Sequence, residues 1–254
     1  MTKSRIIVAA LLCLTTIMYA GGKQELVGHN TYEYNIEGFT GIHGSAAFEI
    51  EVQQSDKFSV RIIAEKSQID KLIIEKRGNN LFLGMKPFSG FIRKSPRAII
   101  TMPELRKVDL SGSSGMLAAG FSSNRDFNCD LSGASSLDID IIAGDIIFDL
   151  SGSSDVTAVL EGSKIEIELS GSSDIKLTGK GSALSADAGG ASSGDLEDFR
   201  VSSADIELSG SSDFHVNLNG TLSIDASGAS TLYYTGNVTL GNIELSGASS
   251  IKEE

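Results

Sequence analysis

The chain has 254 residues, enough for one large domain or two small ones, and its hydrophobic content of 41% argues against disorder. It contains 28 Gly but 3 Pro and no Trp, which predicts many tight bends. The net charge of −12 is concentrated in the C-terminal part, because residues 111–254 carry 6 Lys and Arg against 22 Asp and Glu. Nucleic acid binding requires clustered Lys and Arg, so no nucleic acid partner is expected.

The first residues have the pattern of a signal peptide. Lys3 and Arg5 precede an apolar core of 13 residues, Ile6–Met18, which is too short for a comfortable membrane span. We therefore predict a cleaved signal peptide at 1–22, a linker at 23–35 and a mature chain without a transmembrane span. The protein is expected in the periplasm, the outer cell envelope or the extracellular space.

The two cysteines allow no intramolecular disulfide in the cleaved chain. Cys13 lies within the predicted signal peptide, and the bulky Leu12 before it argues against a lipoprotein attachment site. Cys129 then remains without a partner, so we expect the fold to be stable without oxidative cross-links.

Residues 36–105 are predicted to be a β-rich N-terminal part. Its segments alternate apolar and polar residues or are rich in β-branched residues, with turn signals between them. The predicted strands are 48–53, 58–65, 71–76, 80–86 and 97–102. Because the repeats that follow predict a solenoid, whose end must be closed, we interpret this part as less regular coils that also form a cap.

Residues 106–254 repeat the motif S-G-(S/A)-S at intervals of 18 to 21 residues, which composition alone does not produce. The motif glycines are Gly112, Gly133, Gly152, Gly171, Gly190, Gly210, Gly228 and Gly247. Each is predicted to be a structural corner with a positive φ or a close stacking contact. The serine two positions after each Gly, from Ser114 to Ser249, is expected to hydrogen-bond corner backbone groups.

An alternating stretch precedes every corner. Positions four and two before the Gly are apolar and the position between them is acidic. Each copy is therefore predicted to contain a strand with one buried and one solvent-exposed face. The acidic residues are Asp109, Asp130, Asp149, Glu168, Asp187, Glu207, Asp225 and Glu244. Positions that keep one residue type through every copy are typical of stacked coils. We predict an all-β protein, a right-handed parallel β-helix with coils of about 19 residues.

Three stretches of the chain resemble a known protein family. The order "GFTGIHGSAAFEIEVQQSDKFSVRIIAE", "IITMPELRKVDLSGSS" and then repeated L-S-G-(A/S)-S is similar to the auto-transporter adhesin head GIN domain family of exported bacterial proteins. The similarity covers residues 36–250. It implies a right-handed β-helix-like fold and a cell-envelope or secreted location. No translocator barrel is expected, because the sequence stops at Glu254.

Candidate catalytic and metal-binding residues are sparse. The stretch "GASSG" matches the G-x-S-x-G nucleophile elbow around Ser192, but it coincides with one of the corners, so a structural role is expected. The histidines and the remaining cysteine, which lack metal-ligand spacing, are His29, His43, His215 and Cys129. We therefore predict no catalytic residue and no cofactor.

Two functions compete. We favour an exported, non-catalytic envelope module, adhesin-like or a binding scaffold, whose partner is an unidentified protein or glycan. The alternative is a polysaccharide-active β-helix enzyme, but the nearly constant repeat length leaves little chain for loops that would wall a cleft. The acidic column is either a solvated surface or, as a further alternative, a weak calcium-responsive one.

Overall fold

A computed structural model describes residues 29–88, 90 and 94–254 of the chain. They form an all-β solenoid of about 8 coils of ~19 residues, preceded by mixed strands, which confirms the predicted fold class. The hand of the coil stays a prediction. The predicted signal peptide and residues 23–28 of the predicted linker lie outside the described residues, whereas residues 29–34 of that linker form the first strand.

The N-terminal part combines strands with a short helix. Its elements are β1 (His29–Tyr34), β2 (Gly41–Gly44), β3 (Glu49–Gln54), β4 (Ser59–Glu65), α1 (Lys66–Ile69), β5 (Leu72–Arg77), β6 (Asn80–Met85) and β7 (Arg97–Met102). The strands expected from the alternation in the sequence correspond to β3, β4, β5, β6 and β7.

The regular part places two strands in each coil, one in each of two rows. Row one contains β8 (Lys107–Leu110), β10 (Phe127–Leu131), β12 (Ile146–Leu150), β14 (Lys164–Leu169), β16 (Ala183–Ala188) and β20 (Val238–Leu245). Row two contains β9 (Gly115–Ser122), β11 (Ser136–Ile142), β13 (Asp155–Glu161), β15 (Asp174–Lys180), β19 (Thr231–Thr235) and β21 (Ser250–Glu253). The long strands β17 (Ser193–Leu208) and β18 (Asp213–Ala226) run from row two of one coil into row one of the next.

The pairing of the strands changes along the solenoid. In the regular part, each strand pairs parallel with its equivalents in the neighbouring coils. At the N-terminal end, β2 and β3 lie parallel between β6 and β7 on one side and β8 and β9 on the other. Beyond them, β4 pairs antiparallel with β1 and β7, and β5 pairs antiparallel with β6. The N-terminal strands therefore continue the pairing at one end of the stack, and their role as a cap stays a prediction.

The interior between the two rows is filled by the apolar columns. Val108, Cys129 and Phe148 stack in register along row one, and each is fully buried. Leu169, in the second apolar column, is 3% exposed. Burial raises the pKa of the Cys129 thiol well above its usual range, so this cysteine behaves as a small apolar side chain.

Each coil turns from row one into row two at the S-G-(S/A)-S motif. The motif glycines have φ between +71° and +79°, a conformation that favours Gly. A Cβ added at Gly171 would lie 2.5 Å from the carbonyl oxygen of Gly152 in the preceding coil, so close stacking also favours Gly. The hydroxyl of Ser173 is buried and donates to the Ser170 carbonyl at 2.9 Å, and the same bond recurs in the other corners.

Candidate functional site

The acidic residue of every repeat lies in row one, where the alternation turns it outward. Pairing between strands aligns each acid with the acid of the next coil, from Asp109 opposite Asp130 to Asp225 opposite Glu244. We call this column the acidic ladder, and its members are Asp109, Asp130, Asp149, Glu168, Asp187, Glu207, Asp225 and Glu244. Adjacent strands are ~4.8 Å apart, so neighbouring carboxylates repel along the whole column.

The first two acids of the ladder have basic partners. Nδ1 of His43 lies 3.0 Å from Oδ2 of Asp109, and its ring stacks on Phe82. Nζ of Lys107 donates to Oδ2 of Asp130 at 2.6 Å, and this hydrogen bond raises the pKa of Lys107. The ladder members without an ion-pair partner among the described residues include Asp149, Glu168, Asp187, Glu207 and Asp225.

The match to a nucleophile elbow is a corner of the solenoid. Ser192 is buried, and its hydroxyl donates to the Gly189 carbonyl at 2.7 Å. The last glycine of the motif, Gly194, faces the ring of Phe214, which would lie 2.1 Å from an added Cβ. Packing and corner geometry therefore account for both residues, and the Ser192 hydroxyl is not presented to solvent as a nucleophile would be.

The strands depart from the regular register in several places, one of which is β17. The pairing of β17 with β18 skips residues 197–199, so these residues form a bulge in β17. Phe199 packs in the core, whereas Glu197 and Asp198 are exposed. The bulge therefore projects two carboxylates from the outer face of row two.

A groove of about 570 Å³ lies beside this bulge, and we call it the flank groove. It is formed by β11, β13, β15, β17 and β18, so consecutive coils supply its lining. Its charged and amide side chains are Asp140, Glu161, Lys180, Glu197, Asp198, Arg200 and Asn217. Ile142 and Val159 add aliphatic surface and are 46% and 37% exposed. The groove thus combines polar groups with apolar patches, as small-ligand sites do.

The charges of the flank groove are only partly paired. Nζ of Lys180 lies 2.9 Å from Oε1 of Glu161. Burial raises the pKa of the Asp140 carboxyl. Among the residues that the structure describes, Arg200 has no ion-pair partner, so its guanidinium is available to a ligand. Nδ2 of Asn217 donates to the Glu197 carbonyl at 2.8 Å and thereby holds the bulge against the next coil.

The flank groove was not found from the sequence. The interval of 20 residues between Gly190 and Gly210 signals an irregular coil. It does not show which side of the coil takes the extra residue, because that choice depends on how the neighbouring coils pack. The groove residues also share no motif, since they come from five strands in different coils.

A comparison with protein families gives a match over most of the chain. A family model described as "Putative auto-transporter adhesin, head GIN domain" matches residues 38–238. No functionally curated protein resembles the chain significantly in sequence. In the described part of the chain, no helix is long and apolar enough to cross a membrane.

Several solved structures share this fold. A "putative lipid binding protein" from Parabacteroides distasonis has a TM-score of 0.83 at 18% identity, covering 90% of this chain and 97% of its own. A "putative adhesin" from Parabacteroides merdae also has a TM-score of 0.83, at 15% identity with the same coverage. A "putative adhesin" from Bacteroides fragilis has a TM-score of 0.64 at 17% identity, covering 89% of this chain and 97% of its own. At these identities the likeness concerns the fold.

Proposed function

The chain belongs to the head GIN domain family of auto-transporter adhesins, and from this premise we propose that it is an exported, non-catalytic envelope protein that binds a neutral surface glycan in the flank groove. The family and the signal-peptide pattern support an exported location. The observation that carries the proposal is the flank groove itself, since it is a concave and chemically mixed surface on an otherwise repetitive scaffold.

The lining of the flank groove suits sugar hydroxyls. Carboxylates accept hydrogen bonds, the amide of Asn217 and the unpaired guanidinium of Arg200 donate them, and both kinds of group meet in one groove. Ile142 and Val159 offer aliphatic surface to the C–H faces of a sugar ring. Four carboxylates face two cations there, so an anionic glycan would be repelled and a neutral one is favoured.

A lipid ligand fits the groove less well. One structural relative is described as a "putative lipid binding protein", but burial of a lipid acyl chain requires a continuous apolar lining. Here the interior between the rows is filled by side chains such as Phe148 and Ile167, and charged groups surround the exposed aliphatic surface of the groove. Phospholipid vesicles therefore serve as a negative control in the binding experiment, and no binding to them is expected.

The test is a binding screen of the exported chain against neutral and acidic envelope polysaccharides, in chelator-containing buffer. We expect a neutral glycan to bind and Arg200→Ala to weaken that binding about tenfold or more, since a charged hydrogen bond contributes ~1.5–3 kcal/mol. Arg125, exposed and outside the groove, supplies the matched control Arg125→Ala, which should bind as the wild type does.

Two results would overturn the proposal. Unchanged affinity of the Arg200→Ala variant would place the binding surface elsewhere. Release of reducing ends or unsaturated products from any polysaccharide would instead favour the polysaccharide-active enzyme.

A further inference from the structure

A histidine and two glutamates from different coils converge on the outer face of row two. Nδ1 of His215 lies 3.1 Å from Oε1 of Glu197 and 3.5 Å from Oε2 of Glu254. One ligand atom from each of the three side chains lies within 4.8 Å of the other two. We call this group the His215 cluster.

The fold holds the cluster in place from three directions. The bulge in β17 carries Glu197 toward the next coil, where His215 lies in β18. The backbone N–H of Glu254 donates to the Tyr234 carbonyl at 3.0 Å, which fixes the other glutamate beside the same histidine. The ring of Tyr233 stacks on the His215 ring with centroids 4.5 Å apart and planes 12° apart, so the imidazole orientation is set by packing.

The imidazole nitrogen that faces the two glutamates is unsatisfied. Nδ1 of His215 is inaccessible to solvent and makes no hydrogen bond within the part of the chain that the structure describes, although both carboxylates lie within 4 Å of it. An N–H group can donate along one direction only, and neither carboxylate oxygen is placed to accept. A cation between the three groups would instead be bound by all of them, and it would also neutralise the two glutamate charges.

We propose that Glu197, His215 and Glu254 bind one divalent transition metal ion of the zinc class. An imidazole nitrogen with carboxylate oxygens is a ligand set of such ions, whereas Ca²⁺ and Mg²⁺ prefer oxygen ligands alone. The glutamates are exposed, so rotamer changes can bring their oxygens to the ~2.0–2.2 Å that zinc requires.

The proposed metal site would leave coordination positions free and would link distant parts of the solenoid. Three protein ligands leave further coordination positions for water or a ligand group, as in zinc sites that are not purely structural. Glu197 also lines the flank groove, so the metal would lie at the edge of that groove. The ion would join the irregular coil to the last strand of the solenoid, so its binding should stabilise the folded chain.

The test is calorimetric titration of Zn²⁺ into the metal-free exported chain, with millimolar Ca²⁺ present to compete with non-specific zinc binding at surface carboxylates. We expect one tight zinc site per chain. Glu254→Gln and Glu197→Gln should each weaken zinc binding at least about tenfold. Loss of a residue that only hydrogen-bonds a metal ligand already weakens metal binding by about tenfold or more, and loss of the ligand itself should weaken it at least as much. The matched control is Glu253→Gln, since Glu253 is exposed and does not belong to the cluster.

A second readout identifies the nitrogen ligand. Co²⁺ bound in place of zinc should give a visible absorption spectrum that changes in His215→Gln, and circular dichroism in chelator checks that each variant is folded. Zinc binding that is equally tight in the wild type and in both glutamate variants would overturn the proposal, as would the lack of a stoichiometric site. The glycan experiment uses chelator and Arg200→Ala, so its outcome is independent of this one.

Discussion

The two outer faces of the same coils differ in regularity. On the face of row one, strands from β8 to β17 pair in continuous register, and the acids of successive coils stand opposite one another. On the face of row two, the register shifts in the pairings of β9 with β11, β15 with β17 and β17 with β18, and one shift also occurs in row one, between β18 and β20. Strict repetition therefore aligns the acids into one charged column, whereas the inserted residues of β17 change the local shape beside the flank groove.

The corners limit where an irregularity can lie in a coil. A ladder of glycines with positive φ ends row one, and from Gly133 onward each glycine stacks closely on the glycine of the preceding coil. The extra residue of β20, between Leu240 and Ile243, leaves the contact of Gly247 with Gly228 intact, whereas an extra residue next to the corner would break this stacking. An extra residue farther from the corner is accommodated as a bulge, such as residues 197–199. The following predictions test the difference between the two faces.

The largest effect is expected from reversing the inside and outside of row one. Leu169 is buried, so Leu169→Asp places an unpaired charge in the core and should lower the free energy of unfolding by at least about 3 kcal/mol. Glu168→Gln, one residue away in the acidic ladder, should be neutral or mildly stabilising because it relieves repulsion. Urea unfolding of both variants measures this; equal effects would show that the register is wrong.

The glycine ladder should be more sensitive than an isolated turn. Gly171 has a φ of +77°, and its added Cβ would meet the Gly152 oxygen, so Gly171→Ala suffers both backbone strain and steric overlap. Gly78 has a φ of +58° with open space around it, so Gly78→Ala suffers strain alone, ~1–2 kcal/mol. Thermal unfolding should show a clearly larger loss for Gly171→Ala. If Gly171→Ala lost no more stability than Gly78→Ala, close stacking would not contribute to the corner.

The two serines of one corner should behave differently. Ser173 is buried and donates to the Ser170 carbonyl, so Ser173→Ala should cost about 1 kcal/mol. Ser172 is exposed, and Ala stands at its equivalent positions in other repeats, so Ser172→Ala should be neutral within about 0.5 kcal/mol. Chemical denaturation of the pair separates the roles, and equal stability of the two variants would contradict the hydrogen-bonded corner.

The smallest effect concerns the acidic ladder as a surface. Added salt should stabilise the chain by about 1 kcal/mol or less, because it screens repulsion between exposed carboxylates. We expect millimolar Ca²⁺ to raise the melting temperature of the Glu254→Gln variant no more than Na⁺ at matched ionic strength. A larger shift with Ca²⁺ would favour the calcium-responsive alternative and would make the regular face a binding face too.

The sequence predicted those features that depend on residues close together in the chain or on a pattern that repeats at a fixed interval. Alternation placed the strands of row one, and recurrence of Gly171 and its equivalents placed the corners. The position of β2 and β3 between β6 and β7 on one side and β8 and β9 on the other was not predicted, because it depends on pairing between distant segments. The contact of Glu254 with His215 was missed for a similar reason, since it exists only when coils stack.

The central claim is that the irregular face binds and the regular face does not. Carbodiimide labelling of carboxylates, followed by mass spectrometry, tests it directly when performed with and without the neutral glycan selected by the binding screen. Our account predicts that the glycan protects Glu161 and Asp198 in the flank groove and leaves the labelling of Asp149 and Glu168 in the acidic ladder unchanged. Protection of the ladder carboxylates with continued labelling of the groove carboxylates would contradict it.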